Sequence, residues 1–278
     1  MPHEPSGPAT PAHIPPAVVS DRIVLVAGGK GGVGTSVAAS LLALGCAAAG
    51  AKVLLIDGHE GNGTLHLLFG ARPHRSIDAL RDPRVPVSDV CIEFGDSFTL
   101  VPCKPVSGEQ TLLSPEARRA PFERLLPLSS DYDCVVVDGG SRLDGILAAA
   151  ESGVGRALVV TDADRISLAS NFALLKVFAT RTPAIRGSVL VNRHDEAVSL
   201  RAGAQLAEAC SHFLNTDVSV VGTLPDDACL RAAIGAGMPI GDAAQGSLAA
   251  DIMQTLALRI FPSLAKSRRP SLSLGQRK

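Results

Sequence analysis

The stretch GGKGGVGTS, residues 28–36, brings closely spaced glycines together with a lysine and hydroxyl side chains. Successive glycines let backbone N–H groups turn inward around a phosphate, and a helix that follows adds the positive end of its dipole. The stretch meets the phosphate-loop pattern G-x-x-x-x-G-K-[ST] at Gly29, Gly34 and Ser36, but Thr35 stands where the lysine is required. It therefore predicts a nucleotide phosphate site that lacks one cation; the alternative is a tight strand-to-helix turn without a ligand.

Two aspartates add a possible metal site. Asp57 and Asp138 each close a short apolar run, KVLLID and DCVVVD respectively. Carboxylates are ligands that Mg²⁺ takes beside nucleotide phosphates, although an aspartate at the end of a strand can instead cap the next turn. Because Ser36 ends the phosphate-loop pattern, we expect Ser36, Asp57 and Asp138 to meet at a magnesium site.

Seven short apolar runs alternate with longer segments of helical periodicity. The runs predict strands buried on both faces, at residues 22–27, 52–57, 97–102, 133–138, 156–161, 188–192 and 218–225. Helices are predicted at residues 35–49, 115–127, 165–180, 197–214 and 247–261. This alternation predicts an α/β fold of the three-layer P-loop NTPase type, with a mostly parallel central sheet flanked by helices.

The predicted elements place the reactive side chains at one edge of the sheet. Ligands of such sheets bind beyond the carboxyl ends of the strands. Lys30, Asp57, Asp138 and Asn192 each end or follow a predicted strand, so we expect the site there. Two helices should pack on the sheet through apolar stripes, which comprise Leu168, Phe172, Leu175 and Ala179 in one and Leu248, Ile252, Leu256 and Ile260 in the other.

The composition argues against several classes of function. The formal net charge is -1, so no overall field draws the molecule to nucleic acid. Aromatic residues make up only 3% of the chain, which disfavours base stacking. The six cysteines form no C-x-x-C pair, which argues against a zinc site. The longest apolar run, residues 37–51, is shorter than the ~20 residues that a membrane-spanning helix needs.

The chain divides into three predicted parts. Residues 1–21 hold six prolines and no signal-peptide pattern, so we predict a disordered extension. Residues 22–261 form one predicted domain. Residues 262–278 are basic and lack helical periodicity, which predicts a flexible tail with at most weak contact to an anionic membrane surface. We expect a cytoplasmic protein, at most peripheral at the inner face of the membrane.

The segment KGGVG, residues 30–34, resembles the deviant Walker loop of the MinD/ParA superfamily of ATPases, and the similarity extends over residues 22–261. The resemblance implies bound ATP and Mg²⁺, and a nucleotide-dependent homodimer in which the first lysine of the loop reaches across to the phosphates of the other protomer. It implies that the nucleotide is bound by the loop and by two residues after a later strand: Gly29, Lys30, Gly31, Gly32, Val33, Gly34, Thr35, Ser36, Asn192 and Arg193.

Three positions depart from the motifs of this superfamily. Asp57 matches the first aspartate of an Asp-x-Asp pair, but His59 replaces the second, which helps to position the attacking water. Asp138 matches the magnesium-side aspartate of the next motif, and Arg142 replaces a glycine that senses the γ-phosphate. The third is Thr35. A loop lysine contributes about 1.5–3 kcal/mol, so we expect nucleotide binding to be about 10- to 150-fold weaker.

The identity of the catalytic residues stays open. Phosphoryl transfer depends on positioning and charge stabilisation, and three of its parts are altered, which favours slow or absent hydrolysis. In a working ATPase, Lys30 from the other protomer and Arg142 would replace the missing groups, because both can bind phosphate. A histidine can act as a base, but we expect His59 to be a polar surface residue.

The later blocks, above all FLNTDVSVVGTLPDDACLRAAIGAGMP, are most similar to the FlhG (FleN) branch, which controls flagellar number and placement. This similarity implies a positioning or assembly regulator whose partner is a protein of flagellar, pilus or division machinery, with no nucleic acid. Two alternatives stay open: a catalytically dead scaffold without nucleotide, and a pilus-assembly factor of the TadZ/CpaE type.

Overall fold

The computed structural model describes residues 19–104 and 113–266, which form one sheet covered by helices on both faces. The strands are β1 (Ser20–Ala27), β2 (Val53–Asp57), β3 (Ile92–Phe94), β4 (Phe98–Val101), β5 (Cys134–Gly140), β6 (Val154–Thr161), β7 (Arg186–Asn192) and β8 (Ser219–Leu224). They lie in the order β3-β4-β2-β5-β1-β6-β7-β8. Every neighbouring pair is parallel except β3 with β4.

The helices of the described ranges are α1 (Thr35–Ala48), α2 (Leu65–Leu68), α3 (Pro115–Leu125), α4 (Leu143–Ala150), α5 (Arg165–Arg181), α6 (Glu196–Leu214), α7 (Ala228–Gly235), α8 (Ile240–Ala243) and α9 (Leu248–Ile260). Helices α1, α2, α7, α8 and α9 cover one face of the sheet. Helices α3, α4, α5 and α6 cover the other face. The α/β three-layer prediction is therefore confirmed.

The core has two layers because successive residues of a strand point to opposite faces of the sheet. In β1, Val24 and Val26 pack toward α1 and α9, while Ile23 and Leu25 pack toward α3–α6. These four side chains are at most 2% exposed. Burial on both sides explains why the strands read as continuous apolar runs. This buried frame fixes the carboxyl ends of the strands, where the candidate site lies.

All seven predicted strands are present, with ends within two residues of the prediction. The prediction missed β3, α4 and α7, and also α2 and α8, which have only four residues each. Strand β3 has three residues and helices α4 and α7 have eight each, which is too short for periodicity to be decisive.

The predicted apolar stripes are partly wrong. The buried face of α5 includes Ser167 and Asn171, which are fully buried, while Leu168, Phe172 and Ala179 are only half-buried. The buried face of this helix thus includes two polar side chains, Ser167 and Asn171, that the predicted apolar stripe did not contain. On α9, Leu248 is 59% exposed because it directly follows the helix cap, and the core position belongs to Met253.

Described residues lie on both sides of each predicted domain boundary. Strand β1 begins at Ser20, inside the predicted extension. At the other end, Pro262–Lys266 form a short 3-10 helix in which Leu264 is buried, so the folded chain passes the predicted boundary. Residues 1–18 and 267–278 lie outside the described residues. Across the described ranges, the helices are too short or too polar to span a bilayer.

Candidate functional site

The glycine-rich loop lies at the carboxyl end of β1, between the ends of β5 and β6. Gly32 and Gly34 have φ angles of 83° and 92°, in the left-handed region that favours glycine. Helix α1 begins at Thr35 without a side-chain cap, whereas α3, α5, α6, α7 and α9 each have one. The first N–H groups of α1 therefore stay available to an anion.

A cavity of about 620 Å³ opens in front of the loop. This volume is within the range of small-molecule sites, ~300–1,000 Å³. Three stretches of chain line it: the loop, the turn after β2 and the turn after β5, together with Arg193 from the turn after β7. The lining residues are Gly31, Gly32, Gly34, Thr35, Ser36, Val37, His59, Gly61, Asn62, Gly140, Ser141, Arg142 and Arg193.

Three side chains from distant elements hold the loop backbone. Asn171 of α5 accepts a hydrogen bond from Gly29 N at 2.7 Å through its Oδ1. Asn192 Nδ2 donates to Val33 O at 2.8 Å. Arg193 Nη1 donates to Gly32 O, also at 2.8 Å. Asn192 and Arg193 thus support the loop, and Arg193 also lines the cavity; that either contacts a nucleotide stays a prediction.

The first lysine of the loop is paired within its own chain. Lys30 Nζ lies 2.8 Å from Asp164 Oδ2, and both side chains are somewhat over one-third exposed. Asp164 also caps α5 by accepting hydrogen bonds from Ile166 N and Ser167 N. The hydrogen bond from Lys30, together with those from Ser167, holds the pKa of Asp164 well below its usual range. Lys30 must leave this carboxylate before it can bind a phosphate elsewhere.

A short, mostly buried side chain occupies the position of the missing lysine at the edge of the cavity. Thr35 is 7% exposed, and its Oγ1 lies 3.0 Å from where a Cβ at Gly28 would be. Its side chain therefore packs against the start of the loop. Thr35 thus preserves the backbone of the loop but adds no positive charge to the cavity.

Two buried carboxylates lie beneath the cavity. Asp57 and Asp138 are neighbours in the β2–β5 pairing, and both are fully buried. Asp57 accepts hydrogen bonds from His59 N at 3.2 Å and Leu65 N at 3.0 Å, so both of its oxygens are engaged with backbone. Asp138 Oδ1 accepts a hydrogen bond from Gly140 N at 3.0 Å, whereas its Oδ2 has no hydrogen-bond partner within the described residues.

The carboxylates have perturbed pKa values. Burial, and next the charge of Asp138, raise the pKa of Asp57 to about 7. Burial also raises the pKa of Asp138, while the Ser36 hydroxyl and the Gly140 N–H offset part of that rise. A cation beside the free oxygen of Asp138 would stabilise its ionised form. The Ser36 hydroxyl thus acts on Asp138, which pairs with Asp57 in the sheet; that these three residues hold magnesium stays a prediction.

The changed catalytic positions face the same cavity. The ring of His59 lies against Gly140, where a Cβ would come 2.7 Å from its Cγ. Its Nδ1 is buried without a hydrogen-bond partner in the described structure, while the residue as a whole is half-buried in the cavity wall, so its role stays a prediction. Arg142 is exposed and precedes α4. Both residues are placed where they can contact a bound ligand.

Asp164 and Asn171 were missed by the sequence analysis. Their contacts with the loop join residues 134 and 142 positions apart, which no local pattern reveals. One signal was available for Asn171, which lies one helical turn after Ser167 on the buried face of α5. Buried polar residues at this spacing indicate a required hydrogen bond.

Comparisons with known proteins agree with this architecture. Residues 22–261 match the family model described as cellulose biosynthesis protein BcsQ. The antiactivator FleN of Pseudomonas aeruginosa is 28% identical, covering 77% of this chain and 76% of that protein. The septum site-determining protein MinD of Thermotoga maritima is 26% identical, covering 79% and 80%. The solved structure of MinD complexed with Mg-ADP from Pyrococcus horikoshii superposes with a TM-score of 0.72 at 22% identity, covering 90% and 99%.

Proposed function

The chain belongs to the BcsQ family of cellulose biosynthesis proteins, within the MinD/ParA superfamily, and on this premise we propose that it is a nucleotide-dependent positioning regulator. The similarity to FleN and MinD supports a role in the number or placement of a cell structure, with the flagellum as the first candidate. The active form is a cytoplasmic homodimer that presents a surface to a protein partner. Membrane contact is at most weak, and nucleic acid is not a ligand.

The phosphate cavity is the observation that carries nucleotide binding. It combines a glycine loop with left-handed turns, a helix start without a side-chain cap, and a volume of about 620 Å³. Backbone N–H groups and the helix dipole attract phosphate without any side chain. We expect weak binding of Mg-ATP, because Thr35 is buried and supplies no charge.

Magnesium fits beside Ser36 and Asp138. The carboxylate of Asp138 has a buried oxygen without a partner in the described residues, and the Ser36 hydroxyl lies next to it. Among the described residues, no group of three or more His, Cys, Asp or Glu side chains is arranged to hold a metal ion by itself. This sparse donor set suits Mg²⁺, which usually keeps water and takes phosphate oxygens as further ligands. Bound there, Mg²⁺ would neutralise phosphate charge.

Residues of the chain then have separate roles in dimer formation and in hydrolysis. Lys30 leaves Asp164 and binds the phosphates of a second protomer, which makes the dimer depend on nucleotide. His59 and Arg142 line the opposite wall in place of the superfamily's catalytic groups. Hydrolysis is slow or absent, because phosphoryl transfer requires positioned charge and water that these replacements do not supply in the same way.

A calorimetric titration with Mg-ATP and a slowly hydrolysed analogue tests this proposal, with light scattering on the same samples to report the dimer. We expect saturable binding together with a doubling of mass. Lys30→Ala should keep part of the binding and lose the dimer. Thr35→Lys should tighten binding by about 10- to 150-fold, because it restores the missing cation.

Lys176→Ala is the matched control, since Lys176 is an exposed lysine of α5 outside the cavity lining. It should bind and dimerise as the wild type does. The absence of heat and of any mass change up to millimolar nucleotide would contradict the proposal. The chain would then be a scaffold that acts through its fold alone.

The family description favours a second candidate function. The match to the BcsQ model covers residues 22–261, so a role beside cellulose-producing machinery is the main alternative to a flagellar role. Deleting the gene and scoring flagellar number and extracellular cellulose in the same cells separates the two. A change in cellulose alone would replace the flagellar assignment and leave the nucleotide mechanism intact.

A further inference from the structure

Two stretches of chain form the wall of the cavity that faces the loop. The β2 segment, residues 58–62, follows β2 and carries His59. The β5 segment, residues 140–144, joins β5 to the first turn of α4 and carries Arg142. Neither segment belongs to the loop, yet both must keep a fixed distance from it if the cavity is to fit a ligand.

One arginine contacts both segments from behind. Arg118 lies on α3, and its side chain is only 16% exposed. Its Nε donates a hydrogen bond to Glu60 Oε2 at 2.9 Å, and its Nη2 lies 3.6 Å from Asp144 Oδ2. Glu60 directly follows His59, and Asp144 stands two residues after Arg142. Each partner of Arg118 therefore neighbours a residue that lines the cavity.

The two segments also meet next to this arginine. A Cβ at Gly140 would lie 2.7 Å from His59 Cγ, so the segments are in direct contact. Arg81 also contacts the Glu60 carboxylate, because its Nη2 lies 3.9 Å from Glu60 Oε1. The Nε of Arg81 donates a hydrogen bond to Ala117 O of α3. A planar guanidinium holds carboxylates in a defined direction, unlike a flexible ammonium. Helix α3 is thus tied to both halves of the wall.

We propose that Arg118 is a positioning residue that sets the spacing between the β2 and β5 segments and so shapes the nucleotide cavity. The inference rests on the proposed nucleotide binding and extends it to a residue outside the cavity. Without Arg118, Glu60 keeps the longer contact with Arg81, and Asp144 loses its described ion pair with α3. His59 and Arg142 then move relative to the loop.

The adjacent arginine offers a matched control. Arg119 lies on the same helix, is 14% exposed, and pairs with Glu116, Glu123 and Glu151. Glu151 stands at the other end of α4, away from the cavity. Arg118→Met and Arg119→Met therefore remove equally buried, ion-paired guanidinium groups, but only the first is tied to the wall.

The experiment combines Mg-ATP titration with hydrogen exchange of the full chain. Arg118→Met should weaken binding about tenfold, the usual scale for a supporting residue, whereas Arg119→Met should stay within about twofold. Amides that donate to carbonyl groups of the two segments, such as Glu60 N to Gly58 O and Ile146 N to Arg142 O, should exchange faster only in Arg118→Met. Arg118→Lys should be intermediate, because one ammonium cannot hold both carboxylates in a fork.

Equal losses in the two methionine variants would overturn the positioning role and leave a merely structural one. If the wild type binds no nucleotide, the proposed function fails, and the exchange comparison alone decides the inference. In that case, faster exchange confined to the two segments in Arg118→Met supports the tie, and unchanged exchange refutes it. The unfolding free energy of both variants, measured in urea, shows whether either change acts through global stability.

Discussion

The two sides of the phosphate cavity are held in different ways. On one side, the loop at residues 28–36 is fixed by Asn171, Asn192 and Arg193, each through a hydrogen bond to a backbone atom of the loop. On the other side, the β2 and β5 segments are tied to α3 through the carboxylates that Arg118 contacts. The loop is thus positioned by its backbone, and the opposite wall by charged side chains.

This difference separates binding from turnover. Backbone N–H groups do not depend on side-chain identity. The presence of Thr35 where the pattern has a lysine therefore leaves the backbone donors of the loop in place. Hydrolysis needs particular side chains, and those positions on the opposite wall now hold His59 and Arg142. On the proposed function, the chain keeps the backbone that binds the phosphates, while the side chains of the opposite wall differ from those of hydrolysing superfamily members.

The carboxylates beneath the cavity give the largest expected effect. The pKa of Asp57 is raised to about 7 by burial and by Asp138, whereas an aspartate of an unfolded chain titrates near ~3.9. The folded state therefore holds an extra proton between these values, and the stability present at pH 4 is lost as the pH rises through 7. We expect the free energy of unfolding to fall by up to about 4 kcal/mol from pH 4 to pH 8, measured in urea.

Asp57→Asn sharpens this test. The asparagine cannot accept both hydrogen bonds that Asp57 takes from His59 N and Leu65 N, so the variant is less stable at pH 4. Its dependence on pH should nevertheless be flatter, because the titrating group is gone. Asp96→Asn, at an exposed turn position, should retain the wild-type slope. An unchanged slope in Asp57→Asn would assign the fall to other groups.

The sequence is a good guide to the frame and the loop, because strand patterns and glycine spacing are local signals. The sequence is a poor guide to the side-chain contacts that hold the frame and the loop in place. Asn171 and Asp164 contact the loop across 142 and 134 residues, and Arg118 meets Glu60 across 58. Such contacts follow from the order of the strands and from helix packing, which residue types alone do not specify. The contact between the His59 ring and Gly140 was missed for the same reason.

Alanine substitutions at two loop glycines test whether α5 holds the loop in place. A Cβ at Gly29 would lie 2.3 Å from Ser170 O and 2.8 Å from Asn171 N, both rigid backbone atoms. A Cβ at Gly31 would meet only Ser141 Oγ at 3.5 Å, an ordinary contact. We expect Gly29→Ala to cost about 3 kcal/mol of unfolding free energy and Gly31→Ala less than about 0.5 kcal/mol, by urea titration without nucleotide. Similar costs would mean that α5 does not brace the loop.

The smallest effect concerns the ion pair that keeps Lys30 within its own chain. Asp164→Asn removes the charge but retains an oxygen that can cap α5, because asparagine is as good an N-cap as aspartate. Stability should change little, since both side chains are partly exposed. Freed from Asp164, Lys30 should strengthen the Mg-ATP-dependent dimer by about two- to five-fold in light scattering.

Asp195→Asn is the control for this variant, because Asp195 caps α6 in the same way by accepting from Val198 N. It should leave the dimer unchanged, and adding Lys30→Ala to Asp164→Asn should abolish the gain. The gain must vanish with the lysine, since Asp164 acts only by competing for it. If Asp164→Asn weakens the dimer instead, the ion pair is part of the assembled interface. The loop would then present its lysine already paired, and binding would not require its release.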